Sequence, residues 1–255
     1  NIVDPCDIHY IGKLSQIADE LIVISNSPIP ETQRSSLKKM CTLIERENIG
    51  YDFSAWRDGL IQFGVKNLAS YDEVIFANNS CYGPVYPFEE MFGRMEKRNF
   101  DFWGVAAFPA ITDSKRAEAQ YLRNRKIPQH IQSFFMVFKK PVIESSIFAD
   151  FWTSVTDEKD ILKVVAKYEA QLTEILESSG FTAGCYIEES LPLQERNAHV
   201  VEFNAIYNLP ADFLVLRCPL IKKKIKKYAP DQITEVYDLV RKIGHYPADL
   251  LSEMF

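Results

Sequence analysis

The chain lacks a basic excess, a long apolar run and a metal-type pair of histidines. Its 29 Lys and Arg stand against 35 Asp and Glu, for a formal charge of −6. The broad positive field of a nucleic-acid binder is therefore absent, and no nucleic-acid partner is expected. No apolar run approaches the roughly 20 residues that span a bilayer, and no signal peptide is visible. The first residue is Asn1 rather than Met, as in a fragment or a trimmed chain. Only four histidines occur, His9, His130, His199 and His245. None has metal-pair spacing, and no Ser/His/Asp triad can be assembled from them. The five cysteines, Cys6, Cys41, Cys81, Cys185 and Cys218, are odd in number, widely spaced and without a CxxC. That usage reads as reduced thiols of a cytosolic protein, not as a disulfide framework or a zinc site.

What is present is ordinary globular material, 255 residues at 47% hydrophobic and 25% charged, enough to bury a core without staples. Apolar periodicity predicts helices over 8–20, 31–40, 87–97, 142–152 and 157–178. Short apolar runs predict strands over 21–24, 41–44, 73–76, 101–108, 133–138 and 183–187. This alternation predicts an α/β fold with a helix-covered, mainly parallel sheet. Ligands of such sheets bind beyond the carboxyl ends of the strands. Polar loops fall there at Asn48–Asp52, at Asn78–Ser80 and over 109–129, a segment long enough to be functional.

Four stretches can carry chemistry. On the 157–178 helix, Val165, Tyr168, Leu172, Ile175 and Leu176 fall within about 60° of Ile161, whereas Glu174 and Glu177 fall opposite and should be solvated. Glu169 sits at about 80°, at the edge of the stripe. Burial raises the pKa of a carboxylate so placed, which suits a general base; an ordinary boundary glutamate gives the same pattern. Gly180 would stop the helix in a left-handed cap. The side-chain oxygens of Asn78, Asn79 and Ser80 suit a hard cation or a diphosphate, but the same residues form plain turns. Between Asn48 and Arg57, Gly50 supplies backbone freedom. Asp52 suits a nucleobase or ribose and Arg57 suits a phosphate; helix capping and a surface arginine are the alternatives. His130, Gln132 and Ser133 precede a strand and can face a cleft. Lys222–Lys227 reads either as a solvated helix face or as a patch for anionic lipid.

Taken together, the chain resembles the rhamnan synthesis protein F family of bacterial glycosyltransferases. The matching stretches are Asn48-Ile-Gly-Tyr-Asp-Phe-Ser-Ala-Trp-Arg-Asp-Gly-Leu60, Asn78-Asn-Ser-Cys-Tyr-Gly-Pro84, Asp101-Phe-Trp-Gly104 and His130-Ile-Gln-Ser-Phe-Phe-Met-Val-Phe138. Phe148-Ala-Asp-Phe-Trp152 and Gly244-His-Tyr-Pro-Ala-Asp-Leu250 also fit. The resemblance implies a GT-A-like, Rossmann-type domain over 1–215 and a C-terminal helical extension over 216–255 packed on it. It implies transfer of L-rhamnose from dTDP-rhamnose to a lipid-linked cell-wall or surface polysaccharide, at the cytoplasmic face of the membrane.

Asn78-Asn79-Ser80 stands where such enzymes carry an Asp-x-Asp or Asn-Asp-Ser element. The middle Asp is missing, which puts in doubt a Mg²⁺ or Mn²⁺ near Asn79. Glu169, Leu172, Leu176, Gly180 and Phe181 match the Glu-Asp helix of inverting GT-A enzymes, with Tyr168-Glu169 in place of Glu-Asp. Glu169 is then the catalytic base. Asn48, Gly50, Asp52, Arg57, Asn78, Asn79 and Ser80 fall to the nucleotide sugar, and Asp101, Trp103, His130, Gln132 and Ser133 to the acceptor side. Another nucleotide sugar, or a non-catalytic glycan-binding or scaffold domain, fits the same residues.

Overall fold

The short apolar runs become short strands: β1 (Ile22–Ser25), β2 (Thr42–Glu45), β3 (Glu73–Ala77), β4 (Cys81–Tyr82), β5 (Phe102–Gly104), β6 (Ala107–Phe108), β7 (His130–Ile131), β8 (Phe135–Lys139), β9 (Ala183–Cys185) and β10 (Ile221–Lys222). The computed structural model describes residues 3–112, 115–200 and 202–254. Asp113 and Ser114, part of the 109–129 segment, lie outside them. The described residues divide into two units, one from Asn1–Glu45, Asn79–Arg98 and Asn197–Phe255, the other from Arg46–Asn78 and Asn99–Arg196.

In the first unit, Asp4 caps the helix Pro5–Ile17 by accepting from the Cys6 N–H at 2.7 Å, the usual device for an orphan donor. β1 and β2 pair in parallel, joined through the helix Glu31–Leu37. β4 and β10 pair antiparallel, with Cys81 opposite Lys222. The core is largely aliphatic and includes Val85, Leu214, Ile221, Ile225, Val236, Val240 and Leu251. The helix Ile233–Ile243 ends at Gly244, whose φ of 71° is the left-handed cap that a glycine adopts without strain.

The second unit holds a four-stranded sheet in the order β3-β8-β5-β9. β8 runs antiparallel to both its neighbours, β3 and β5, and β5 pairs with β9 in parallel, so β3, β5 and β9 share one direction and β8 alone opposes it. The expected mainly parallel sheet is therefore corrected to a mixed one within an α/β fold. The reason lies in 107–131, which folds back on itself through Ala107↔Ile131, Phe108↔His130 and an Ile111↔Ile127 bridge. A parallel neighbour needs a crossover, usually a helix; a chain that doubles back returns antiparallel. The helix after β3 and β4, Phe88–Glu96, lies in the connection from β3 to β5 but belongs to the first unit.

Beneath the sheet is an aromatic core. Trp152 is 1% exposed and stacks on Phe76 at 4.7 Å and on Phe53 at 5.7 Å. Its helix, Ser146–Ser154, is capped by Ser145 accepting from the Phe148 N–H.

The 161–178 helix is not regular. It runs as α-helix over Ile161–Val164, as a π turn over Val165–Glu169 and as α-helix again over Ala170–Ser178. Asp160 caps its start. The extra residue of a π turn rotates one half against the other by about 100°. Ile161, expected on the apolar stripe, is thereby 45% exposed. Tyr168, Leu172 and Leu176 are buried, and Glu174 and Glu177 are exposed, as the periodicity predicts. Gly180 closes the helix with φ 94°.

Candidate functional site

Glu169 closes the π turn and is half-buried. One turn on, Thr173 lies on the same face, and the two serve one edge of the chain around β7. The Ile131 N–H donates to Thr173 Oγ1 at 3.0 Å, and the Ser133 N–H to Glu169 Oε1 at 3.0 Å. Between them the Gln132 N–H turns the other way, to the Ala106 carbonyl at 2.9 Å. This alternation is that of a strand whose outer donors are met by side chains four residues apart on a helix. Among the described residues Oε2 of Glu169 has no hydrogen-bond partner.

His130, Gln132 and Ser133 are buried beside it. His130 Nδ1 lies 2.8 Å from the Pro128 carbonyl and so carries the hydrogen, leaving Nε2 as the acceptor. Burial pushes the imidazole below its ordinary pKa; the Glu169 carboxylate and the Pro128 bond pull against that without overcoming it. The ring packs on Phe108 at 5.6 Å, and the Arg116 guanidinium, paired with Glu118, lies 4.9 Å from the Phe108 centroid. Sequence reasoning missed Thr173, although its i+4 spacing from Glu169 was a usable signal. Asp101 is committed to Thr182, accepting from its N–H at 2.8 Å and its hydroxyl at 2.7 Å. Trp103 is buried inside the sheet between Val137 and Gly184.

The nucleotide-side residues separate into three groups. Asp52 and Asn78 come together, Asn78 Nδ2 donating to Asp52 Oδ2 at 2.8 Å. Gly50 precedes the helix Tyr51–Phe63 with φ 76°, and a Cβ there would stand 1.9 Å from Ser54 Oγ. Only glycine fits the turn that aims Asp52. Asn48 is exposed. Arg57 belongs to a separate network. Its guanidinium donates to Asp58 Oδ1 at 2.6 Å, to Asp157 Oδ1 at 2.9 Å and to the Val155 carbonyl at 2.9 Å. Arg46 meets the other Asp58 oxygen at 2.7 Å.

Asn79 and Ser80, the third group, lie in the first unit. Asn79 Nδ2 donates to Asp7 Oδ2 at 3.3 Å, and Ser80 Oγ accepts from Lys222 Nζ at 3.0 Å. Lys223 Nζ is 2.6 Å from Asp7 Oδ1. The basic run therefore does not form one solvated face: pairing of β10 with β4 draws Lys222 in, Asp7 holds Lys223, and Lys224, Lys226 and Lys227 remain exposed. These residues do not suit a Mg²⁺ or Mn²⁺ near Asn79, the site that the missing Asp puts in doubt. The carboxylate there is tied to a lysine, and a second ammonium sits on Ser80, where a cation needs oxygen ligands and negative charge. Among the described residues no cluster of three or more His, Cys, Asp or Glu is arranged to hold a metal ion. No helix among them is long and apolar enough to cross a membrane, and all five cysteines are free.

An α/β unit with a fixed carboxylate beside a buried histidine narrows the class, and comparison with known proteins supplies the family. The chain belongs to the family described as Rhamnan synthesis protein F, which matches residues 21–255. It is 27% identical over 185 residues to an uncharacterized protein, y4gN, of Sinorhizobium fredii, covering 71% of this chain and 44% of that protein. It is 29% identical over 154 residues to the virulence protein VirA of Vibrio anguillarum, covering 57% of this chain and 42% of that protein. The chain thus spans less than half the length of these relatives. No solved structure matches it.

Proposed function

We propose that the chain is a GT-A-type inverting glycosyltransferase of rhamnan synthesis, moving L-rhamnose from dTDP-rhamnose to a lipid-linked polysaccharide acceptor. The observation that carries this reading is the state of Glu169. Oε1 is pinned by the Ser133 N–H and Oε2 has no hydrogen-bond partner among the described residues, beside a histidine whose Nδ1–H is fixed on Pro128. A base needs an aimed lone pair and a fixed rotamer, and one backbone bond supplies both.

Glu169 takes the proton of an acceptor hydroxyl. The freed oxygen pair attacks C1 of the sugar from the face opposite the nucleotide. The C1–O bond breaks, and its electron pair leaves with dTDP. His130 Nε2, Gln132 and Ser133 line the acceptor side. The Asp52–Asn78 pair takes the thymidine or its ribose. Arg57 donates to Asp58, Asp157 and Val155, so a phosphate would meet it only by displacing one of these acceptors. Any contact with an anionic membrane would rest on Lys224, Lys226 and Lys227.

Glu169→Gln keeps the acceptor oxygen for the Ser133 N–H and removes the base. Transfer from dTDP-rhamnose should fall by about 10²- to 10⁴-fold at an unchanged melting temperature. Near-normal turnover by the folded variant sinks the catalytic assignment.

A second reading, a non-catalytic glycan-binding or scaffold domain, is favoured by one observation. Glu169 covers the Ser133 N–H just as Thr173 covers that of Ile131, a purely structural duty. A dTDP-selective thermal shift supports the transferase; no shift with any nucleotide, with or without Mg²⁺ or Mn²⁺, supports the scaffold.

A further inference from the structure

The antiparallel pairing of β4 with β10 places two consecutive lysines against two consecutive polar residues. Lys222 is 5% exposed, and its Nζ donates to Ser80 Oγ at 3.0 Å. Lys223 donates its backbone N–H to the Ser80 carbonyl at 2.9 Å and its Nζ to Asp7 at 2.6 Å, while Asn79 Nδ2 reaches the other Asp7 oxygen. Aromatic rings flank both ammonium groups, Tyr207 at 5.1 Å from Lys222 and Tyr82 at 5.4 Å from Lys223. A ring face favours a cation with part of its water removed. Lysine ammonium, amide N–H and hydroxyl are donors for phosphate oxygens, and paired lysines match the charge of two linked phosphoryl groups.

We infer that Asn79, Ser80, Lys222 and Lys223 form a diphosphate-binding site in which ammonium groups supply the positive charge that a divalent cation would otherwise bring. This rests on the proposed use of a diphosphate donor. Asp7 keeps Lys223 in place and gives it up as the anion arrives. The same chemistry is offered by a nucleoside diphosphate and by the diphosphate of a lipid carrier.

The test is calorimetric titration of the 255-residue chain with dTDP, farnesyl diphosphate and inorganic pyrophosphate, each in EDTA and again with Mg²⁺ or Mn²⁺. Binding should persist in EDTA. Lys222→Met and Lys223→Met should each weaken it by about tenfold or more, with Lys222→Arg retaining most of the affinity. Asp7→Asn should tighten it by releasing Lys223. Tighter binding of dTDP than of farnesyl diphosphate assigns the site to the donor, and the reverse assigns it to the lipid carrier. Lys223 is part-exposed, so its variant stays informative if Lys222→Met fails to fold. Binding that requires added metal, or a folded Lys223→Met with unchanged affinity, overturns the inference and leaves the transferase reading standing. Metal-free diphosphate binding without transfer from dTDP-rhamnose does the opposite.

Discussion

Glu169 and Lys222 carry opposite charge in different units, and they reach their places by different routes. Glu169 is set by a helix and a strand 36 residues apart, over an aromatic core in which Trp152, Phe76 and Phe53 stack. Lys222 meets Ser80 across 142 residues through two strands of two residues each, over an aliphatic core. The carboxylate is positioned by local periodicity plus one backbone bond. The lysine is positioned by chain topology alone. A residue of the first kind can be nominated from its helix; one of the second kind needs the fold.

The sharpest way to break this contrast is through the two cores. Trp152 fills the centre of the aromatic cluster, so Trp152→Ala should destabilise its unit by about 3–5 kcal/mol, through lost transfer energy plus a cavity. Val236, fully buried in the aliphatic core, should lose only about 2 kcal/mol as Val236→Ala. Midpoints of urea unfolding, followed by tryptophan fluorescence for the first variant and circular dichroism for both, check the ranking. Equal losses would mean that the surrounding side chains collapse into the space the indole leaves, so that the site keeps most of its packing energy.

That difference also marks how far the sequence is legible. The stripe of Tyr168, Leu172 and Leu176, the solvated Glu174 and Glu177 and the Gly180 cap follow from a 3.6-residue period and from glycine's freedom at positive φ. The strand-end loops at Asp52 and Asn78 were readable from turn residues, and the structure joins them. The π turn was not readable, because a helical wheel assumes one rotation per residue, and Ile161 was placed on the wrong side as a result. The direction of β8 was not readable either. It depends on the fold-back of 107–131, which in sequence is only a polar stretch. Lys222 was assigned to a surface because a run of lysines carries no mark of the strand that buries one of them. Arg57 read as a phosphate ligand because its two aspartates lie at Asp58, beside it, and at Asp157, 100 residues away.

A smaller effect separates the units by pH. Burial lowers the His130 pKa, with Arg116 adding to it and the Glu169 and Glu118 carboxylates and the Pro128 carbonyl opposing. The unfolded chain therefore binds a proton that the folded chain refuses, from the ordinary value of 6.5 down to the lowered one. Stability rises with pH across that window: it is intact above it and declines as pH falls through it. Between pH 7.5 and 5.5 this histidine accounts for at most about 1.4 kcal/mol. His130→Asn should flatten the loss by that amount or less in urea titrations. His9 and His245, also lowered mainly by burial but more open to solvent, should leave a shallower slope of the same sign in the other unit, removed by His9→Asn with His245→Asn. A His130→Asn variant as acid-sensitive as the parent would show that the ring takes up its proton when folded.

The smallest expected effect is the most pointed test of Glu169. Glu174 and Glu177 stand on the same helix with the same side chain, and both are exposed. Any loss seen on changing Glu169 to Gln mixes three possible sources: helix stability, the charge of the helix and the role of one carboxylate at one place. Glu174→Gln repeats the first two and omits the third. It should change stability by no more than about 0.5 kcal/mol and leave transfer from dTDP-rhamnose unchanged at saturating donor. If Glu174→Gln lowers turnover as much as Glu169→Gln does, the effect belongs to the field of the helix, and the bond between Oε1 and the Ser133 N–H is structural only.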